Sequence, residues 1–305
     1  MNPTVANGSL QIFEARDYDL AATLNSGQAF RWHAHQNGWV GIIGRRWVRL
    51  ESGDNSITVL SEAQVSDWGW LRDYLQLDVD LESVLATFPA DEPMRAAMAA
   101  CRGLRLLRQE PWECLASFIL SSTKQIVQIR QMISLLCERF GEPILVPPGH
   151  APAWSFPSAG RLAAVCEAEL RECKLGFRAP YLLQTAQRLA RDAAALPVAG
   201  SASLQEMRAR LLELPGVGPK IADCVLLFAY GFQTAFPMDV WILRGLRQLY
   251  FPRRRPTLRR LRAFAATYFG VNSGYAQQYL FHYMRTKRTH KAMAQVPFRP
   301  QARVF

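Results

Sequence analysis

Apolar positions follow two different rhythms along this chain. Near the N-terminus they come in short runs, Phe30 to Trp32, Trp39 to Ile43, Trp47 to Leu50 and Ile57 to Leu60, separated by Gly, Asp, Asn and Ser. Runs this short, rich in aromatic and β-branched residues and bounded by turn formers, predict strands. Glu51-Ser-Gly-Asp-Asn-Ser56 reads as the turn between two of them. Hairpins alone rarely stand in water, so a covering helix is expected over Glu62 to Tyr74. From Leu81 onward the spacing turns helical. Between Trp112 and Phe140, apolar residues from Leu115 and Phe118 through Ile129, Ile133 and Leu136 recur every three or four positions. Further helices are predicted over Ala159 to Cys173, Tyr181 to Ala195, Ser203 to Leu212, Pro219 to Tyr230, Val240 to Tyr250, Leu258 to Phe269 and Tyr275 to Arg285, joined by short Gly- or Pro-containing turns. The expected fold class is α+β. Residues 1–85 should form a small N-terminal antiparallel β domain, residues 86–290 a mainly α-helical domain packed on it, and residues 291–305 a C-terminal tail.

Composition narrows the partners. The 305 residues are 50% hydrophobic, enough for about two domains with a sizeable core. Lys and Arg number 36 against 25 Asp and Glu, and the net charge of +11 should attract polyanions, either nucleic acid or an anionic membrane. Charge alone does not choose between them. No apolar run approaches the length of a membrane span, and MNPTVANGSLQIFEARDYD lacks the pattern of a signal peptide, so a cytoplasmic protein without a membrane partner is expected. The six cysteines form no CxxC pair, which argues against a zinc site, an iron–sulfur cluster or a disulfide framework. Two basic stretches stand near the end: Arg253, Arg254, Arg255, Arg259, Arg260 and Arg262, then Lys287, Arg288 and Lys291 in an expected mobile tail. For each, a solvated face is as good an explanation as a binding surface.

The segment richest in chemistry is LPGVGPKIADCVLLFAYGFQTAFPMDVWILR, residues 214–244. Gly216, Val217 and Gly218 sit in a tight turn before a helix starting near Pro219, an arrangement that aims backbone N–H groups and a positive dipole end outward, suited to phosphate. On the glycines alone an ordinary αα-hairpin explains the turn better. Lys220 changes that balance. In the first turn of the helix the dipole disfavours its cationic form and favours the free amine that a nucleophile needs, although a phosphate-contacting lysine fits the same position. Asp239 follows Pro237 and precedes the apolar run Val240-Trp-Ile-Leu243, the position of a helix N-cap. Spacing leaves its proximity to Lys220 open.

LPGVGPKIADC followed by PMDVW resembles the helix–hairpin–helix DNA glycosylases with a glycine/proline-rich loop and aspartate. More closely, the chain resembles the 8-oxoguanine DNA glycosylase family. LNSGQAFRW (24–32), DYLQLDVDL (73–81), GLRLLRQEPWECLASFILSS (103–122), LGFRAPY (175–181) and GYAQQYLF (274–281) all occur in the family's order. The resemblance implies a small antiparallel domain packed on a helical glycosylase domain. It also implies a bifunctional glycosylase/lyase that works as a monomer on double-stranded DNA containing 8-oxoguanine, with no organic cofactor. Room remains for a monovalent or divalent cation at the hairpin carbonyls.

By that resemblance Lys220 is the nucleophile at the sugar C1′ and Asp239 the carboxylate beside it. Gly27 matches the glycine whose carbonyl accepts N7–H, a donor that oxidised guanine has and guanine lacks. Gln277 matches the reader of the Watson–Crick edge, and Cys224 and Phe281 match the residues that sandwich the ring. Without the family, a turn glycine, a surface glutamine and plain core side chains are better readings of these four. The hairpin residues Gly216, Val217 and Gly218 would grip phosphate, Arg178 and Thr123 would face the base opposite the lesion, and Phe177, replacing a tyrosine, would be the wedge. The chain departs from the common pattern at Thr123, Lys124, Gln125 and Gln128, where asparagines and an arginine are frequent, and at Trp241, where a histidine often stands. These departures put opposite-base selectivity in doubt. Two other functions remain open: a helix–hairpin–helix glycosylase for another lesion, and a non-catalytic DNA-binding protein.

Overall fold

Alternating burial closes the N-terminal strands into one five-stranded antiparallel sheet. In the computed structural model, which describes residues 8–196, 198, 200 and 202–294, these are β1 (Ser9–Glu14), β2 (Trp32–His35), β3 (Gly38–Ile43), β4 (Arg46–Gly53) and β5 (Ser56–Ser61). They lie in the order β1-β5-β4-β3-β2. Gly53 pairs with Ser56, so Asp54 and Asn55 make the hairpin loop between β4 and β5, with Asn55 at φ 52°. The expected turn is there. Val48, Leu50, Ile57 and Val59 are buried on the inner face of the sheet. Two short helices share that core, α1 (Leu20–Asn25) and α2 (Gly69–Leu75), through Leu20, Leu24, Leu71 and Leu75. The covering helix begins at Gly69 rather than Glu62, because the Asp67 carboxylate accepts the Gly69 amide and sets the start there. Neither β1 nor α1 was anticipated.

The rest is helical: α3 (Leu81–Ala86), α4 (Glu92–Ala100), α5 (Pro111–Leu120), α6 (Ile126–Phe140), α7 (Ala159–Ala163), α8 (Glu167–Glu172), α9 (Ala179–Arg191), α10 (Leu204–Leu212), α11 (Pro219–Phe228), α12 (Val240–Tyr250), α13 (Leu258–Tyr268) and α14 (Ser273–Ala294). A two-residue pairing of β6 (Pro143–Ile144) with β7 (Ala153–Trp154) interrupts them. The periodic stretch from Trp112 to Phe140 is two helices facing one core, broken where Thr123 takes a left-handed φ of 57°. The stretch from 159 to 173 likewise divides into α7 and α8. The last helix runs on to Ala294, so Lys287, Arg288 and Lys291 belong to α14 rather than to a tail. Residues 295–305 lie outside the described residues. Among the described residues no helix is long and apolar enough to cross a membrane.

The two cores are stitched together. Phe30, from the sheet side, is buried in the helical core, while Leu107, from the segment between α4 and α5, is buried in the sheet core. Gln28 lies fully buried at the seam. Its amide nitrogen donates to Arg105 O at 2.8 Å, its amide oxygen accepts Leu107 N–H at 2.7 Å, and its carbonyl accepts from Gln109 Nε2 at 2.7 Å. The loop carrying Gly27 is thereby fixed against the helices.

Candidate active site

The hairpin between α10 and α11 is held from below by α9. Thr185 Oγ1 donates to Pro215 O at 2.9 Å. Gly216 has φ 76°, and a Cβ there would meet Tyr181 Cβ at 2.6 Å, so both backbone conformation and space demand glycine. Gly218, the N-cap of α11, has open space where its side chain would be, leaving its backbone accessible. Pro219 occupies the first turn of α11, where its missing N–H costs nothing. Val217 is buried and anchors the turn.

One residue further, Lys220 points inward. Its Nζ donates to Ser121 Oγ at 3.1 Å and lies 4.9 Å from the Phe118 ring centroid. Burial pushes the thiol of Cys224, one turn along α11, up to about 12, with Lys220 opposing the shift. Asp239 caps α12 through its carboxylate, which accepts the Ile242 amide at 2.8 Å. Burial raises the Asp239 pKa above the usual carboxylate value, and the Ile242 amide, the Lys220 charge, the Trp241 amide and Arg285 pull it back down. Lys220 and Asp239 are therefore electrostatic neighbours, which their spacing in the sequence had left open. A groove of about 750 Å³ opens beside Lys220, lined in part by Ser122, Gly218, Pro219, Met238 and Arg262.

The ring-binding candidates converge from the two ends of the chain. Gly27 has φ 81°, and a Cβ on it would meet Ile126 Cδ1 at 2.8 Å, Arg285 Nη1 at 3.4 Å and Phe281 Cε1 at 3.5 Å. Gln277 is buried on α14; its Nε2 donates to Pro237 O at 3.0 Å, while its Oε1 has no hydrogen-bond partner among the described residues. A buried acceptor left open in this way suits a ligand donor. Two arginines at this rim had no signal in the sequence. Arg285 donates to Asn25 O at 3.3 Å and lies 5.3 Å from the Phe281 ring, and Arg130 donates to Asn25 Oδ1 at 3.2 Å. Both hold the loop that carries Gly27. Only the contact of α6 and α14 with one loop could have revealed them.

Arg178, expected to face an opposite base, is buried. Its guanidinium donates to Ser122 O, to Thr123 Oγ1 at 2.9 Å and to Leu175 O at 3.2 Å. Phe177 beside it is 54% exposed and stacks 4.2 Å from the Arg178 guanidinium. Gln128 turns back to cap its own helix, its Oε1 accepting the Gln125 amide at 3.2 Å. The hairpin carbonyls of Glu213, Leu214 and Pro215 accept hydrogen bonds from Arg188, the Val217 amide and Thr185.

A family model described as 8-oxoguanine DNA glycosylase, N-terminal domain, matches residues 11–115, and one described as HhH-GPD superfamily base excision DNA repair protein matches residues 116–269. The chain belongs to the HhH-GPD superfamily. Within it, the N-glycosylase/DNA lyase of Saccharomyces cerevisiae is 33% identical over 76% of this chain and 68% of its own length. MBOgg1 in complex with a low-affinity DNA ligand superposes with a TM-score of 0.86 at 31% identity, covering 92% of this chain and 99% of that one. The Clostridium acetobutylicum 8-oxoguanine glycosylase/lyase, bound to double-stranded DNA with cytosine opposite 8-oxoG, gives 0.84 at 29% identity, covering 91% and 98%. The antiparallel sheet followed by a mainly helical HhH-GPD domain is thus the architecture expected from the sequence motifs.

Proposed function

We propose that this protein is a bifunctional 8-oxoguanine DNA N-glycosylase and abasic-site lyase, acting as a monomer on duplex DNA. The observation that carries the reading is the convergence of Lys220, at the start of α11, with Asp239, the half-buried cap of α12 whose carboxylate feels the Lys220 charge, beside a groove bordered by Gly218. A phosphate clamp needs the glycines and the lysine but has no use for a half-buried carboxylate next to them.

The reacting bond lies inside a duplex, so the nucleotide must first leave the stack; phosphate contacts from the hairpin and the exposed Phe177 offset the unstacking. In the pocket, the Gly27 carbonyl accepts N7–H of the oxidised base, Gln277 Oε1 accepts from its Watson–Crick edge, and Phe281 and Cys224 cover its faces. The neutral Lys220 amine attacks C1′, and the glycosidic bond breaks with its electron pair leaving on the base. Asp239, as carboxylate, stabilises the positive character that develops on the sugar. One Nζ proton passes to the departed base, the freed Nζ lone pair expels O4′, which takes up a proton, and the C1′–Nζ bond becomes a Schiff base that acidifies C2′–H. Loss of that proton expels the 3′ phosphate by β-elimination.

Borohydride in the presence of 8-oxoguanine duplex should trap the wild-type protein covalently, because only an imine is reduced to a stable amine. Lys220→Gln should lose both trapping and base release while duplex binding stays within a few-fold, since one positive charge among many is removed. Base release by Lys220→Gln at the wild-type rate would refute the assignment.

A further inference from the structure

We infer that the exposed arginines of the α12–α13 unit form a second phosphate-binding track, which holds duplex DNA flanking the lesion. The inference rests on the DNA-repair reading above and adds a surface that runs out from the edge of the groove beside Lys220.

The charge of the chain is not spread over it. After Asp239 no Asp or Glu occurs in the remaining 66 residues, which contain 14 Lys and Arg. The first 239 residues hold the other 22 Lys and Arg and all 25 Asp and Glu, a net of −3. The whole excess of +11 therefore arises after the proposed catalytic aspartate, whereas ordinary soluble surfaces intersperse both signs. Arg253, Arg254, Arg255, Arg259, Arg260 and Arg262 are all exposed. Among the described residues none of the six has a carboxylate within salt-bridge distance. Asp91, which packs against the unit from the start of α4, is engaged by the hydroxyls of Tyr250 and Tyr268 at 3.4 and 2.6 Å. Such a single-sign field repels itself in the free protein, and a polyanion relieves it.

The arginines also stand on a rigid platform. Tyr250, Phe251, Phe264, Tyr268 and Phe269 make a cluster of ring contacts at 4.5 to 5.8 Å that locks α12 to α13. Pro256 is buried in the loop between the helices. A fixed display loses little ordering entropy on binding, unlike a basic tail. It is also continuous with the site. Arg262 lines the groove that contains Gly218, Pro219 and Lys220. Arg259 lies one turn back along the same face of α13, and Arg255 precedes that helix. Because Asp239 caps α12, which spans the next 11 residues, the loop at its far end is roughly 16 Å from the catalytic end, about five phosphates of one strand at 3.4 Å each. That continuity favours duplex DNA over a membrane as the occupant.

The test is Arg253→Gln/Arg254→Gln/Arg255→Gln/Arg259→Gln, which leaves Arg262 in place, with Kd for undamaged and lesion-bearing duplexes of about 30 base pairs measured against salt. We expect the slope of log K against log salt to shrink by about two or more, with affinity down about tenfold or more near 0.1 M salt, equally for both duplexes. For the wild type, trimming the duplex on one flank should shrink the slope in the same way, a readout that requires no variant to fold. An unchanged slope in both measurements overturns the inference and leaves a solvated face. Loss of binding to vesicles containing phosphatidylserine with an intact DNA slope also overturns it, in favour of a membrane. Failure of the wild type to be trapped by borohydride would instead count against the repair reading, and the slope on undamaged duplex would still decide the track.

Discussion

Asp239 caps a helix and, in the proposed mechanism, also steadies the reacting sugar, and substitution separates the two. Its carboxylate caps α12 and sits where burial raises its pKa above the ordinary value. The folded state therefore binds the proton more tightly than the unfolded chain does. Between the ordinary and the raised pKa, stability falls as pH rises, and at neutral pH the ionised, half-buried group costs stability. Asparagine keeps the capping oxygen and removes the charge. Asp239→Asn should thus unfold no lower than the wild type at pH 7, while single-turnover excision falls by about a hundredfold or more. Asp239→Ala should lose the cap as well, about 1 kcal/mol of stability. Equal thermal destabilisation of the two variants, or undiminished excision by Asp239→Asn, would reduce the residue to a cap. Excision should also decline on acidification, as the carboxylate takes up its proton.

At the level of elements, the proposed reading gives the base opposite the lesion to the loop from Ser121 to Gln125 and the turn at Phe177 and Arg178. A site rejects wrong partners when its buried polar groups would be left unpaired. Here Arg178 already donates to Ser122, Thr123 and Leu175, which uses most of its five donors, and Gln128 is folded back onto its own helix. Little remains to read cytosine. Single-turnover excision of 8-oxoguanine opposite C, T, G and A should therefore differ by roughly tenfold or less, the reach of one ordinary hydrogen bond. A spread of about a thousandfold would mean that binding rebuilds this loop or that water completes it. The same elements show what the sequence could and could not reveal. Strands β3, β4 and β5 were legible because their apolar runs are bounded by turn residues, and the hairpin because its glycines and Pro219 mark a helix start. Strand β1 was not, since Leu10 and Ile12 are exposed at 65% and 59% and Phe13 alone faces the core. Of the site, Lys220 and Asp239 could be read as single residues with a local reason. Their pairing, and the grip of Arg130 and Arg285 on Asn25, depend on contacts between distant segments that no local spacing encodes.

For the whole molecule, the open question is whether sheet and helices behave as one unit, because Gly27 sits on one side of the seam and Lys220 on the other. Gln28 is the residue best placed to test it. Buried without water access, it satisfies the Leu107 N–H and the Arg105 carbonyl across the seam, and these groups stay buried when the side chain is removed. Each unpaired group costs about 1–3 kcal/mol, so Gln28→Ala should lose roughly 3 kcal/mol, a large part of a typical 5–15 kcal/mol. Phe30 in the helical core and Leu107 in the sheet core tie the two sides further, which predicts one cooperative transition rather than two. Tryptophan fluorescence reports mainly the sheet side, where Trp32, Trp39, Trp47, Trp68 and Trp70 make up five of the eight tryptophans, and far-UV circular dichroism reports the helices. The two midpoints should coincide in the wild type and move down together in Gln28→Ala. A fluorescence midpoint that falls while the helical signal stays put would show two independently folding domains. In that case the Gly27 loop would be positioned by an interface that can open, and lesion recognition would weaken on heating before the helical domain melts.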